Sequence, residues 1–174
     1  MLSPKEKGQL KRIRESVPMP DADTIMQKVI PSNDIGKYLD GTYNKVGGYV
    51  TRADDSKHLK TYNDFYNSLR LDYPQSAFNP FSDDSIGVIR YKTDETSKIK
   101  IPYSKEMGGI DVGECPFSGN GFTKAANGEI IPEFRSDGYL EISDGSQLSE
   151  IKKDGTEFLR GVYDANKGKF VSVE

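Results

Sequence analysis

Three kinds of side chain in this sequence suit chemistry: a strand-end arginine, a loop rich in glycine and hydroxyls, and a series of carboxylates. Arg52 follows the β-forming stretch Tyr49-Val50-Thr51 and precedes Asp54 and Asp55. Its planar fork suits a phosphate or carboxylate held bidentately, or one of those neighbouring aspartates as a surface pair. Between Cys115 and Pro132, Gly119 and Gly121 flank Asn120, and residues tolerant of positive φ in such density predict a sharply bent backbone. That loop carries Ser118, Asn120 and Thr123. Phe122, with Phe117 and Tyr103, offers planar faces that either stack on a ligand ring or anchor the loop to the core. Glu129, Glu133, Glu141 and Glu150 follow. Glu141 sits between Leu140 and Ile142, so strand alternation sets it on the opposite face from both. There it either faces solvent or stabilises an oxocarbenium-like charge and a ribose hydroxyl. His58, with Lys57 and Lys60 beside it, suits acid/base work on RNA without a metal, or a plain exposed helix face.

Composition removes several alternatives. Cys115 is the single cysteine and His58 the single histidine, so an intrachain disulfide, a cysteine zinc site and two-histidine catalysis are excluded. A net charge of −3 supplies no general attraction to nucleic acid, although a local basic cleft remains compatible with RNA cleavage. No apolar run approaches the roughly 20 residues of a membrane span, and the lysine-rich N-terminus lacks the apolar core of a signal peptide. The expectation is a soluble chain with a cytoplasmic site of action.

The elements that must position these groups read as α+β. Short N-terminal helices precede a mostly antiparallel β-sheet domain that contains one long amphipathic helix. Ser3-Pro4-x-Glu6 has capping-box spacing with proline at the first helical position, predicting a basic helix to about Ser16. Val17-Pro18-Met19-Pro20 is a linker. Asp23 is positioned to cap a helix through Ile25, Met26 and Val29, and Ser32 another through Ile35 and Leu39 that closes at Gly41. Residues 1–40 are thus expected to be a helical appendage and residues 41–174 the α+β domain. Leu59, Tyr62, Phe65, Tyr66, Leu69 and Tyr73 recur at helical spacing and predict the long helix, ended by Pro74. Strands are expected at 49–52, 86–92, 99–103 and 139–142. A meander follows at 148–152, 157–163 and 170–173, with its hairpin at Lys153-Asp154-Gly155.

Taken in order, Arg52 after a strand, Phe122-Thr123 in the loop, and Glu141-Ile142 before Asp144-Gly145-Ser146 resemble the arginine, serine-or-threonine, glutamate arrangement of mono-ADP-ribosyltransferase toxins. The stretch from Gly48 to Val173 is more broadly similar to C-terminal toxin domains of bacterial polymorphic and phage-borne toxins, which hang from helical linkers. Gly121-Phe122-Thr123-Lys124 replaces the family's usual Ser-Thr-Ser, and Tyr139 stands two residues before Glu141. The resemblance implies NAD as substrate, no metal, and a cognate immunity protein or protein target as partner. It implies that Arg52 clamps the pyrophosphate, Thr123 supports the ribose, Phe122 or Tyr103 stacks on nicotinamide, and Glu141 stabilises the charge left when nicotinamide departs. Ser118 and Asn120 join the same wall. Two other readings stay open: a metal-independent ribonuclease toxin using His58, and a non-enzymatic phage structural, interaction or inhibitor domain.

Overall fold

The computed structural model describes residues 3–103, 105, 121–125 and 127–173. Its centre is an eight-stranded antiparallel sheet. The strands in chain order are β1 Met26–Pro31, β2 Lys45–Val46, β3 Tyr49–Arg52, β4 Ser85–Tyr91, β5 Ile99–Lys100, β6 Phe122–Lys124, β7 Ile130–Pro132 and β8 Phe134–Ser136. β9 Leu140–Glu141, β10 Gln147–Lys152, β11 Glu157–Asp164 and β12 Lys169–Ser172 complete them. The large sheet runs β12-β11-β10-β4-β1-β3-β8-β5, while β2-β9 and β6-β7 form two-stranded ribbons. The α+β class with a mostly antiparallel sheet is therefore observed.

Alternation along the central strands explains the two cores. Ile89 and Tyr91 of β4 join Met26, Ile30, Val50 and Leu148 on one face. Ile86 and Val88 point the other way, toward Ile151, Phe65 and Ile131. Helix α2, Ser32–Leu39, covers the first face with buried Ile35 and Tyr38. Each such side chain contributes about 1.5–3 kcal/mol when removed from water. The second face is covered by α3, Ala53–Ser56, and α4, Tyr62–Ser68.

Two expected helices are reorganised. The single amphipathic helix is instead the pair α3 and α4, because Thr61 begins a new helix: its hydroxyl accepts from the Asp64 amide while Asp64 accepts from the Thr61 amide. The apolar spacing still holds, since Leu59, Tyr62, Phe65 and Leu69 are all buried in one cluster. The stretch through Ile25, Met26 and Val29 is strand, not helix. Met26–Pro31 pairs along its whole length with β4 and over two residue pairs with β3, so ladder hydrogen bonds override the helical spacing. Residues 26–40 consequently belong to the sheet and its covering helix, and the expected boundary at residue 40 falls after them. What precedes the sheet is α1, Pro4–Ser16, with its capping box between Ser3 and Glu6 as the spacing predicts.

Candidate functional site

Strand register assembles a row of buried polar side chains that no local spacing announces. Gln27 of β1 lies opposite Arg90 on one side and Thr51 on the other. Beyond Thr51, β3 pairs with β8 through Tyr49 to Arg135 and Val50 to Phe134. Partners in an antiparallel pair share a face, so Arg90, Gln27 and Thr51 cross the sheet side by side, and Glu133, just before β8, lines the same cavity as Gln27 and Thr51. Arg90 donates to the Gln27 carbonyl oxygen at 3.3 Å, and the Gln27 amide donates to Ser56 at 3.0 Å. Gln27, Thr51, Ser56 and Glu133 are all buried, Glu133 at 7% exposure. The Thr51 hydroxyl has no hydrogen-bond partner among the described residues. An orphaned hydroxyl costs about 1–3 kcal/mol in such a place, and Thr51 is among the residues that line a cavity.

The cavity opens where β3 diverges from β1, whose ladder stops after Met26 and Gln27. It holds about 530 Å³ and is lined by Gln27, Lys28, Thr51 and Glu133, with Tyr73 and Phe78 as aromatic walls. A second hollow of about 690 Å³ continues past Lys28 toward Tyr43, Arg135 and Tyr139. Lys28 stands between them and donates to the Tyr49 carbonyl at 3.1 Å. Loss of water holds its ammonium below the ordinary lysine value, while the negative charge of Glu133 pulls the other way. The loop after α4 roofs the first cavity. Arg70, at φ 53°, and Gln75, at φ 65°, both line it in the left-handed region. Non-glycine residues there carry about 1–3 kcal/mol of strain each, a reservoir that clusters at ligand sites.

The residues expected from sequence are distributed differently. Arg52 closes on Asp55 through Nε at 2.8 Å and Nη2 at 3.1 Å, and its Nη1 donates to the Pro18 carbonyl at 3.3 Å. Thr123 is buried in the β6–β7 ribbon, where its hydroxyl accepts from the Ile131 amide at 3.2 Å. Phe122 lies opposite Pro132 in the same ribbon. Glu141 is exposed and lies opposite Lys45 in the other ribbon. Neither cavity is lined by Arg52, Thr123 or Glu141. Ser118 and Asn120 lie outside the described residues. Glu150 takes hydrogen bonds from Ser85 and from Arg160. Of the weighed carboxylates, Glu133 is the one that reaches the cavity.

Two further constellations arise from tertiary contact. His58 Nε2 meets Glu129 Oε1 from 71 residues away, and Ser68 donates to Glu129 Oε2 at 2.7 Å. The Ser68 bond, followed by His58, holds the Glu129 carboxyl below its ordinary value. Elsewhere the Arg14 guanidinium of α1 lies 3.9 Å from the centroid of the Tyr103 ring. Arg14 is 1% exposed, and its Nε and Nη1 have no hydrogen-bond partner among the described residues. Burial pulls its pKa below the ordinary value, and Tyr103 opposes that pull. Among the described residues no helix is long and apolar enough to cross a membrane. No protein-family model, curated protein or solved structure matches the chain.

Proposed function

We propose that this chain is a toxin-like domain that consumes NAD at the Lys28–Thr51–Glu133 cavity, with Glu133 in the role that the resemblance implies for Glu141. The observation that carries this reading is the buried polar row ending in an orphaned hydroxyl and a carboxylate at an aromatic-walled hollow. Departure of nicotinamide leaves positive charge on the ribose, and a carboxylate held away from water stabilises that charge strongly. The Thr51 hydroxyl supplies a ribose hydrogen bond, Lys28 a cation for the pyrophosphate, and Tyr73 or Phe78 a stacking face. Water or a protein side chain then takes the ADP-ribosyl group, as hydrolysis or transfer.

Nicotinamide release from NAD tests this. The native chain releases it, Glu133→Gln slows release by about 10²–10³-fold, and Thr51→Val slows it by about tenfold. Arg52→Ala and Glu141→Ala retain it. A native chain with no release refutes the NAD reading, and loss in the Arg52 and Glu141 variants instead returns the site to those residues.

The His58–Glu129 contact favours a second reading, a metal-independent ribonuclease in which an imidazole and a carboxylate share acid and base roles. Exposed Lys57 and Lys60 supply nearby positive charge. Nicking of transfer RNA that disappears in His58→Ala and survives in Glu133→Gln selects it over the first.

A further inference from the structure

We propose that the seat beneath Arg14 is a guanidinium-binding site, filled by α1 in this state and available to an arginine side chain of another polypeptide when α1 lifts. None of the residues proposed above for the NAD cavity takes part in it. The cis occupant identifies the ligand chemistry: a planar cation lies on the Tyr103 ring at 3.9 Å, the geometry in which an aromatic face attracts guanidinium. Gly121 forms another wall. Its φ of +84° suits glycine, and a Cβ there would fall 2.6 Å from Ile101 and 3.8 Å from Arg14 Cγ.

The same observations make α1 a detachable occupant. A helix that docks permanently buries an apolar stripe, yet the buried residue of this thirteen-residue helix is Arg14, while Ile13 is 53% exposed. Two of the guanidinium's three nitrogens find no acceptor among the described residues, so docking forfeits part of their hydration. Beyond the helix, Val17 packs on the core and the Pro18 carbonyl accepts from Arg52. Among the described residues, the stacking of Arg14 on Tyr103 is the contact that holds α1 in place. Local opening of such an element is expected at far lower cost than global unfolding.

Two measurements test the proposal. In the native chain, amides of residues 7–16 exchange with solvent at least 100-fold faster than those of β1 and β4. Exchange of α1 only at the rate of the sheet overturns the detachable helix. A synthetic peptide of residues 3–18 then binds the full-length Arg14→Ala chain at least tenfold more tightly than the native chain, whose own helix competes. The same peptide with Arg14→Ala does not bind. Equal affinity for both chains, or equal binding of both peptides, overturns the arginine site. Nicotinamide release unaffected by any of this leaves the NAD reading where it stood, so the two fail separately.

Discussion

Removing the charge of Glu133 is the sharpest perturbation available. Glu133→Gln preserves size and leaves the Lys28 ammonium desolvated without its compensating carboxylate. The resulting cost has a ceiling, because the amine can shed its proton. An ordinary lysine titrates near 10.4, about 3.4 units above pH 7, and each unit is worth about 1.36 kcal/mol, so the ceiling is about 4.6 kcal/mol. At pH 9 the gap is about 1.4 units and the ceiling falls to about 1.9 kcal/mol. Lys28 donates to the Tyr49 carbonyl and Glu133 acts on it through charge alone, so the loss falls below the roughly 3–5 kcal/mol of a broken contact pair, at about 2 kcal/mol at pH 7 and about half of that at pH 9. The sign follows from proton binding. With the folded-state pKa of Lys28 pushed further down, the unfolded chain binds more protons between that value and 10.4, so the variant gains stability as pH rises through this window. Urea unfolding followed by circular dichroism at both pH values measures it. Lys28→Met in the same chain removes the stranded cation and should restore stability to within about 1 kcal/mol of native, giving a coupling of at least about 1 kcal/mol. Additivity within about 0.5 kcal/mol, or a penalty that does not change between pH 7 and pH 9, refutes the pairing of Lys28 with Glu133.

Other perturbations probe the frame around the site. Gly87→Ala places a Cβ 2.6 Å from Ile30 Cγ1 and 2.9 Å from Ile35 Cγ1, and such overpacking should lower urea stability by about 1–3 kcal/mol. A midpoint unchanged by Gly87→Ala would show that Ile30 and α2 shift freely. Thr61→Ala removes the hydroxyl cap of α4 and should cost about 1 kcal/mol, read from thermal unfolding. Ser68→Ala deletes the largest influence holding the Glu129 carboxyl low. A depressed carboxylate contributes stability above its unfolded value that is lost as pH falls through its folded value. The variant should therefore be about 1 kcal/mol less stable at pH 7, with the difference shrinking as pH falls below the ordinary glutamate value of about 4.3. A carbon-detected NMR titration in which the Glu129 midpoint stays put on mutation would contradict this.

Local rules acting over a few residues were readable before folding. The Ser3-Pro4-x-Glu6 cap specifies α1, alternation in Val88-Ile89-Arg90-Tyr91 specifies β4, and Lys153-Asp154-Gly155 specifies the β10–β11 hairpin, because each depends only on neighbouring atoms. The aromatic residues from Leu59 to Leu69 were legible as a buried face even though Thr61 divides their helix. Other features depended on partners far along the chain. Met26–Pro31 is strand because β4 pairs along its whole length and β3 along its start. Arg52 spends its fork on Asp55, and the Thr123 hydroxyl serves the Ile131 backbone, since those partners lie within reach once the chain is folded.

The cavity belongs wholly to that second category. Gln27, Thr51 and Glu133 come from separate segments and meet at one cavity only through tertiary pairing, a relation that no periodicity within one segment encodes. Sequence by itself determined the supply of carboxylates, hydroxyls and cations and the strands able to carry them. Tertiary structure alone decided which carboxylate is buried beside a desolvated lysine, because that depends on which strands pair and where their ladder ends.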